Sequence, residues 1–410
     1  MKDGVLKRIL YKTGMIPIYS KYQQFRYDKK IERQKNPDRW YFKFLPIKKS
    51  KIIFVNFFGN GYGDNPKAIT DEILRRGLKW DLVWISKLDS SNFPVGVRVV
   101  KYGTTESYKE MATAKLWVFN IRNFPHPAKR KKQVYLQTWH GGGVVLKKLE
   151  GMIEDNLSKN YVKSAKLDGA ICDYILSSDA IRSEVERDYF WLNKKTKILE
   201  FGTPRDDVFY NKKMQDYYRK HVRELYHIDS NTKIILYMPT FRDDGNTSCY
   251  DLDYSGVIEA FEKRFVCNAV VFSRLHPNVP KGTVIIPQNH KIIDVTDYPE
   301  AYELFLAVDF AISDYNSSAI CKMPLLNKPS FIFASDYEDY IQMRGLTKYY
   351  KEIPIQISKT NNQLIQQIMG FNEKEYFSAW AAFHGKYPSF ERGTASQQVV
   401  DIIQRNIINQ

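Results

Sequence analysis

The stretch KIIFVNFFGNGYGDNPKAITDEILRRG, residues 51–77, sets the pattern that the rest of the chain repeats. Its first eight residues, KIIFVNFF, form an apolar run typical of a buried strand. A glycine-rich turn follows, and KAITDEILRRG is predicted to be a helix. We expect Asn65 to be the N-cap of this helix and Pro66 its first residue. A strand, a turn and a helix in this order favour a parallel sheet.

The same alternation continues along the chain in two series. The first series has strands at WDLVWIS, KLWVFN, QVYLQTW, GAICDYILSS and KILEFG. A charged helical connector at 210–232 separates it from the second, which has strands at KIILYMPT, CNAVVFSRLHP, TVIIP, HKIIDVT, DFAISDY and PSFIFA. The fold class is therefore α/β, with two doubly wound domains and a cleft between them. Ligands of such sheets bind outside the carboxyl ends of the strands.

Length, charge and cysteines limit the class of protein. The 410 residues fit two domains, and the net charge of +16 calls for an anionic partner. No RNP pattern, zinc finger or basic zipper favours nucleic acid. The four cysteines are scattered, which indicates a reduced, cytosolic protein. No apolar run is long enough to span a bilayer, and the N-terminus lacks a signal peptide.

The first 51 residues mix Lys and Arg with aromatic and aliphatic side chains. This composition suits a basic amphipathic element on anionic lipid. A solvated basic face over an N-terminal extension explains it equally well. Both interpretations fit a protein without a membrane span that visits a membrane surface.

Polar and basic side chains follow five predicted strands, where a ligand of the cleft would bind. They are His140, Arg205, Thr240 with Arg242, Arg274 with His276, and Asp314 with Ser317 and Ser318. Alternation along a strand would place Arg274 and His276 on the same face, which suits an anion site. A serine at the start of a helix can cap it or hold a phosphate, and both readings stay open.

His140 stands directly before three glycines, in the sequence WHGGGVVLKK. The glycines Gly141, Gly142 and Gly143 would let a ligand approach the backbone and its N–H groups. They would equally suit a tight turn before a helix at VVLKKL. The sequence shows no metal-ligating pattern, so charge must be stabilised by Arg, His, hydroxyls and helix N-termini. No cofactor is implied, although a divalent cation bridging donor phosphates would leave no motif.

Together these motifs give the chain a resemblance to the CDP-glycerol glycerophosphotransferase family, the teichoic acid primases and polymerases and related capsule polymerases. The segments that carry it are GDNPKAI (63–69), LQTWHGGGVVLKKL (136–149), FGTPRDDVF (201–209), ILYMPTFRDD (235–244), SRLHPN (273–278), the segment 294–340 and GTASQQVVDII (393–403). The set in this order is specific, and it runs from about residue 51 to the end.

The resemblance implies a GT-B-like fold and the transfer of a polyol phosphate from a CDP-polyol to an acceptor hydroxyl, with release of CMP. It implies that His140 is the base and that His276 lies at the donor phosphates. Donor-binding positions would be Thr240, Arg242, Arg274, Asp314, Asn316, Ser317 and Ser318, and acceptor-side positions would be Gly141, Gly142 and Arg205. The implied partners are a CDP-polyol, a lipid-linked saccharide or polyol-phosphate acceptor, and the anionic inner face of the cell membrane, not nucleic acid.

Four segments are expected in the chain. They are a basic extension (1–50), an acceptor domain (51–215), a CDP-donor domain (216–385) and a closing helix (386–410). Family members usually have HGTPLKK where this chain has HGGGVVLKK, which leaves the acceptor and the polyol open. The short N-terminal extension favours a primase or short-product transferase over a long-chain polymerase. Two alternatives remain, a GT-B glycosyltransferase using a nucleotide sugar and a non-catalytic scaffold or nucleic-acid-binding protein.

Overall fold

The structure is a computed structural model. It describes residues 22, 25, 26, 28, 29, 44–122, 128–141, 144–242, 245–276, 278–280, 282–287, 289–315 and 318–408. The predicted extension over residues 1–50 therefore lies almost wholly outside the described residues.

The first sheet is parallel throughout and is built from the first half of the chain. Its strands are β1 (Lys48–Val55), β2 (Asp81–Ser86), β3 (Val97–Lys101), β4 (Ala114–Phe119), β5 (Val134–Gln137), β6 (Tyr174–Leu176) and β7 (Lys197–Leu199). Their order in space is β3-β2-β1-β4-β5-β6-β7. The helices between them are α1 (Asp64–Arg75), α2 (Thr105–Thr113), α3 (Lys159–Ile171) and α4 (Ala180–Tyr189), with 3₁₀ turns at Ser90–Asn92 and Glu150–Asn156.

The second sheet repeats the topology of the first. Its strands are β8 (Lys233–Tyr237), β9 (Ala269–Ser273), β10 (Ile292–Asp294), β11 (Phe310–Ser313), β12 (Ser330–Phe333) and β13 (Ile357–Ser358), in the order β10-β9-β8-β11-β12-β13. Every strand pair in it is parallel. The 3₁₀ turn Pro204–Tyr210 and helix α5 (Lys212–Leu225) lead into this sheet.

Helices cover the second sheet and lead the chain back to the first. They are α6 (Tyr254–Phe265), α7 (Ala301–Ala307), α8 (Ser318–Lys322), α9 (Tyr337–Met343), α10 (Asn361–Met369), α11 (Glu373–Lys386) and α12 (Ala395–Ile402). Further 3₁₀ turns lie at Ser248–Tyr250, Pro324–Leu326 and Lys348–Lys351, and a π-helical turn at Ile403–Ile408 ends the described chain.

The apolar runs form strands because both faces of each sheet are covered. In β1 the residues Ile52–Val55 are fully buried, and in β8 the residues Ile234–Leu236 are as well. A strand buried on both faces needs apolar side chains at successive positions rather than at alternate ones. The sequence shows that pattern in KIIFV and in KIIL.

In both sheets the strand order reverses beside the first strand of the domain, between β1 and β4 and between β8 and β11. Such switch points form the crevice in which doubly wound sheets bind ligands. The predicted fold class is confirmed, since two Rossmann-type sheets in tandem give a GT-B-like architecture. The predicted limits of the four segments stay a prediction.

Three local predictions are wrong. Asn65 is not the N-cap of α1, because the helix starts at Asp64 and Asn65 uses its side chain elsewhere. The segment VVLKKL (144–149) is extended rather than helical, since it pairs with a segment of the second domain. The described residues of TVIIP (283–287) form no strand; the edge of that sheet is β10 instead.

The two domains share buried structure. One apolar core joins Trp139 and Val145 of the first domain to Tyr315 and Tyr349 of the second. Helix α12 packs back onto the first domain, where Val400 is fully buried in a core with β1. The two domains are therefore packed against each other through buried apolar side chains. Within the described part of the chain, no helix is both long and apolar enough to cross a membrane.

Candidate active site

The His140 imidazole lies at the switch point of the first sheet, beside the end of β4. Its Nδ1 atom is 2.9 Å from the backbone oxygen of Asn120. A carbonyl oxygen can only accept a hydrogen bond, so Nδ1 carries the hydrogen and the neutral ring keeps its lone pair on Nε2. Burial lowers the pKa of His140 below its ordinary value. His140 is therefore neutral at physiological pH, with one nitrogen able to accept a proton.

The residue before His140 is held in an unfavourable backbone conformation. Trp139 has a φ of 51°, in the left-handed region that a bulky residue rarely adopts. Its ring stacks on the His140 imidazole at 4.6 Å. The Trp139 amide donates to Gln137 Oε1 at 2.9 Å. Strain of this kind persists where the surrounding structure imposes it, and it clusters at functional sites.

A buried ion cluster lies beneath Trp139. The guanidinium of Arg122 bonds Glu150 at 2.7 Å and Asp168 at 2.8 Å, and it lies 5.8 Å from the Trp139 ring. Tyr135 donates to Asp168 at 3.1 Å and accepts from Gln137 at 2.7 Å. Through Tyr135, the cluster therefore connects to Gln137, whose side chain accepts a hydrogen bond from the Trp139 amide. Sequence reasoning missed Arg122, because nothing in its local pattern indicates burial.

Arg205, predicted on the acceptor side, holds the His140 loop. Its Nη2 donates to the backbone oxygen of His140 at 2.6 Å, and its Nη1 pairs with Asp64. The guanidinium lies 4.1 Å from the ring centre of Tyr302, in the second domain. Asn65 adds a second support, since its side chain donates to the Trp139 oxygen at 2.9 Å. These contacts fix the backbone on both sides of the His140 side chain.

The chain after His140 crosses to the second domain. Gly141 is described, whereas Gly142 and Gly143 lie outside the described residues. Lys147 and Leu346 form an antiparallel bridge, in which Thr347 N donates to Leu146 O at 2.9 Å and Lys148 N donates to Gly345 O at 3.1 Å. The motif that starts with His140 therefore ends in contact with the opposite wall of the cleft.

His276 lies on that opposite wall with the other ring nitrogen protonated. Its Nδ1 accepts a hydrogen bond from the amide of Asn278 at 3.1 Å, so the hydrogen of the neutral ring is on Nε2. Burial, and then the charges of Lys147, Arg274 and Arg344, lower the pKa of His276 to about 4. The neutral ring can donate a hydrogen bond from Nε2. The nearby cations show that this region of the cleft is positively charged.

An aromatic ring links His276 to one of these cations. The Phe241 ring lies 4.7 Å from the His276 ring, and the Arg344 guanidinium lies 5.5 Å from the Phe241 ring centre. Lys147 comes from the first domain and Arg344 from the second. Both were missed by sequence reasoning, because no strand ends beside either of them.

The alternation argument that places Arg274 and His276 on one face does not apply, because β9 ends at Ser273, before both residues. The Arg274 guanidinium donates to the backbone oxygens of Val295 at 3.1 Å and Tyr298 at 2.5 Å. Only 8% of the residue is exposed. Arg274 ties the loop after β10 in place, and it affects the cleft through its charge.

Arg242 uses all five of its N–H groups within the protein. It bonds Asp336 at 2.5 and 3.0 Å, Asp314 at 3.1 Å, and both oxygens of Thr240 at 2.8 and 2.9 Å. Asp314 in turn accepts from the Thr240 amide at 3.0 Å. Tyr315 donates to Asp336 at 2.7 Å. Thr240, Arg242 and Asp314 thus come together as predicted, at the switch point of the second sheet. The Arg242 guanidinium, however, donates all of its hydrogen bonds to other residues of the protein.

The predicted serine pair is only partly described. Asn316 and Ser317 lie outside the described residues. Ser318 is the first residue of the short helix α8, and its hydroxyl lies 3.4 Å from that of Tyr302. Tyr302 also contacts Arg205, so Ser318 connects to the His140 side of the cleft. Among the described residues, no group of three or more His, Cys, Asp or Glu side chains could hold a metal ion.

The family described as CDP-Glycerol:Poly(glycerophosphate) glycerophosphotransferase matches residues 40–405. A teichoic acid glycerol-phosphate transferase of Staphylococcus aureus is 31% identical over 370 residues, which are 87% of this chain and 93% of that protein. A teichoic acid poly(glycerol phosphate) polymerase of Staphylococcus epidermidis is 28% identical over 396 residues, which are 93% of this chain and 54% of the polymerase. The chain therefore spans about half the length of that polymerase.

A solved structure extends the similarity to three dimensions. The wall teichoic acid polymerase TagF matches with a TM-score of 0.76 and 27% identity, covering 96% of this chain and 98% of that chain. A variant of TagF has also been solved after a soak with CDPG, and it matches with a TM-score of 0.77.

Proposed function

We propose, from the premise that this chain belongs to the CDP-glycerol:poly(glycerophosphate) glycerophosphotransferase family, that it transfers a polyol phosphate from a CDP-polyol to an acceptor hydroxyl and releases CMP. Glycerol phosphate is the group that it transfers. The acceptor is lipid-linked, and the product belongs to teichoic acid or a related cell-surface polymer. Similarity to a glycerol-phosphate transferase over most of both chains supports the choice of glycerol.

The observation that carries the proposal is the pair of opposite histidine tautomers. His140 presents an unprotonated Nε2, whereas His276 presents a protonated one, because the backbone fixes the Nδ1 of each ring. One can accept a proton and the other can donate a hydrogen bond, and they stand on loops of different domains. A transfer between a hydroxyl and a phosphate needs both roles.

In the reaction, the acceptor oxygen attacks the phosphorus that carries the glycerol. His140 Nε2 takes the proton of that hydroxyl as the new P–O bond forms. The bond between this phosphorus and the bridging oxygen of CMP breaks, and CMP keeps the electron pair. CMP is a stable leaving group, so positioning and charge supply most of the rate enhancement.

The donor phosphates lie by His276, where Lys147 and Arg344 add positive charge from the two domains. His276 donates from Nε2 to a phosphate oxygen. Arg242 is a positioning residue, since its N–H groups hold Asp314, Asp336 and Thr240 at the base of the donor site. Arg205 is likewise a positioning residue, which fixes the backbone of His140.

A lipid-linked acceptor requires the enzyme to work at a membrane surface. The net charge of +16 favours the anionic inner face of the cell membrane, to which the protein binds peripherally from the cytoplasm. Salt would weaken such binding, because the attraction between exposed charges is screened.

Release of CMP tests the proposal directly. The purified protein is incubated with CDP-glycerol or CDP-ribitol, with and without a lipid-linked acceptor, and CMP is quantified. Acceptor-dependent CMP release from CDP-glycerol, and less from CDP-ribitol, is the expected result. A folded protein that releases CMP from neither donor contradicts the proposal, and transfer from a nucleotide sugar instead would replace it with glycosyl transfer.

A further inference from the structure

The turn after β1 exposes two consecutive phenylalanines in an unfavourable conformation. Phe57 has a φ of 35° and Phe58 a φ of 57°, both in the region that favours glycine. Phe57 is 36% exposed and Phe58 is 45% exposed. The unfavourable backbone conformation of both residues costs conformational free energy, and neither ring is fully buried to offset that cost. Strain that persists in this way clusters at ligand sites.

Hydrogen bonds hold this turn in place. The backbone oxygen of Asn56 accepts from the amides of Gly59 and Asn60, each at 2.8 Å. The Asn56 side chain donates to Asn60 O at 3.1 Å, and Lys87 N donates to Gly59 O at 2.7 Å. Gly59 has a φ of 87°, and a methyl group there would lie 2.8 Å from Tyr102. The turn therefore presents both rings on a fixed backbone.

Asn120 connects the phenylalanine turn to the proposed base. Its side-chain oxygen accepts from the Phe57 amide at 3.0 Å, while its backbone oxygen holds His140 Nδ1. Asn120 also donates to Asn56 Oδ1 at 2.8 Å and is fully buried. The Phe57 and His140 rings lie 5.3 Å apart. The Phe57 ring is therefore within reach of a molecule whose hydroxyl contacts His140.

We propose that Phe57 and Phe58 form a platform for a pyranose ring at the reactive end of the acceptor. This inference rests on the proposed function, and it specifies the class of acceptor. The face of an aromatic ring is electron-rich, whereas the axial C–H groups of a pyranose form a flat, electron-poor face that stacks on it. An open-chain polyol phosphate has no such face and brings a negative charge. The chain thus adds its polyol phosphate to a saccharide end.

The acceptor preference tests the platform. Two synthetic acceptors with the same alkyl chain are compared, one ending in a pyranoside and the other in glycerol phosphate. We expect Phe57→Leu and Phe58→Leu each to lower the ratio of kcat/KM for the pyranoside over the glycerol phosphate by about tenfold. Phe57→Tyr keeps an aromatic face and should retain the ratio of the wild-type protein. Tyr217→Ala removes an exposed ring from α5 and serves as the matched control.

Three outcomes overturn the platform. They are an unchanged ratio in both leucine variants, an equal loss with both acceptors, and a wild-type protein that prefers the glycerol phosphate acceptor. An equal loss that follows weaker sedimentation with anionic vesicles would assign the two rings to the lipid surface instead. Circular dichroism and thermal unfolding of each variant check that the protein still folds.

The platform and the proposed function fail in different ways. Binding of the alkyl pyranoside alone is measured by calorimetry, without any donor. If no CDP-polyol yields CMP but Phe57→Leu still weakens pyranoside binding, the transfer reaction fails and the saccharide platform stands. If CMP is released but the leucine variants bind and use the pyranoside like the wild-type protein, the platform fails alone.

Discussion

The backbone oxygen of Asn120 lies 2.9 Å from Nδ1 of His140 and thereby determines which imidazole nitrogen is free. Asn120 comes directly after β4, next to β1, where the strand order of the first sheet reverses. The same residue holds the Phe57 amide with its side chain. One buried asparagine thus fixes the proposed base and the proposed acceptor platform relative to each other.

Replacing His140 with alanine should abolish most of the transfer reaction. General-base catalysis contributes roughly 10²- to 10⁴-fold, so we expect kcat to fall by about three orders of magnitude. His290→Ala is the control, since it removes an exposed imidazole in the second domain. CMP release under saturating CDP-glycerol and acceptor measures the effect. Near-full activity of the His140 variant would show that another group takes the proton.

Measured from pH 5 to 8, the pH dependence of kcat/KM should show at most one acidic limb, with its midpoint below about 6.5. His140 must be neutral to act as a base, so the rate rises with pH through its pKa, which burial lowers below the ordinary value of about 6.5. His276, with a pKa of about 4, stays neutral over this range and adds no second limb. A midpoint above 6.5, or a limb that reports two protons, would contradict this assignment of roles.

The sequence predicts the fold and the position of the site well, because apolar runs and strand ends are local features. His140, Thr240, Arg242 and Asp314 all lie at the carboxyl ends of strands, as the alternation of strands and helices indicates. What the sequence does not reveal is the direction of a side chain. Arg242 and Arg274 stand at strand ends, but each points into partners that come from distant parts of the chain.

The missed residues share a physical reason. Asn120, Asp64 and Phe57 act through contacts with residues that are 20 to 141 positions away in the sequence. Asp64, which the sequence analysis did not single out, pairs with Arg205, 141 positions further along the chain. Contacts over such separations depend on the packing of the whole fold. No local pattern encodes them.

Arg242→Lys should destabilise the second domain in addition to weakening donor binding. A lysine ammonium cannot replace five N–H groups in a fixed plane, so one of the buried carboxylates of Asp314 and Asp336 loses its partner. Breaking a buried pair costs about 3–5 kcal/mol. Arg98→Lys is the control, because Arg98 pairs with Asp81 while half exposed, and it should cost less than about 1 kcal/mol.

Urea unfolding and the KM for CDP-glycerol, measured on the same variants, separate the two roles of Arg242. If Arg242 is a positioning residue, Arg242→Lys lowers the unfolding midpoint and raises the KM for CDP-glycerol. A rise in KM with unchanged stability would mean that Arg242 contacts the donor directly.

Lys322→Met should reveal how the two domains are held together. The Lys322 ammonium is fully buried, pairs with Asp206 and bonds Glu391 at 2.9 Å. Asp206 lies in the 3₁₀ turn Pro204–Tyr210 that leads into the second sheet. Lys322 lies in α8, and Glu391 lies in the segment before α12. Without the ammonium, two buried carboxyls lose their cation, and we expect a loss of about 3–5 kcal/mol. Lys212→Met, at an exposed pair with Asp216, should change stability little.

The effect of Lys322→Met should grow with pH. Burial raises the pKa of Glu391 to about 7, so its protonated form is favoured in the folded state, and stability is lost as pH rises through that value. The Lys322 charge lowers the pKa of Glu391, so removing it raises the pKa of this carboxyl further. Urea midpoints of the variant and the wild-type protein should therefore differ more at pH 8 than at pH 5. A constant difference would mean that the protonation of Glu391 is not coupled to folding.

Gly141→Ala separates a structural from a functional need for glycine after His140. Gly141 does not adopt a left-handed φ, and a methyl group there would meet Arg182 at 3.4 Å and Trp139 at 3.5 Å, which are ordinary contacts. We expect the unfolding temperature to stay close to that of the wild-type protein. Gly202→Ala, by contrast, places a methyl group at a φ of 87° and 2.7 Å from Glu391, and it should unfold at a lower temperature. A Gly141 variant that folds normally but has a raised KM for the acceptor would show that the glycine leaves room for the substrate beside the base, whereas unchanged kinetics would confine the need for glycine to Gly142 and Gly143.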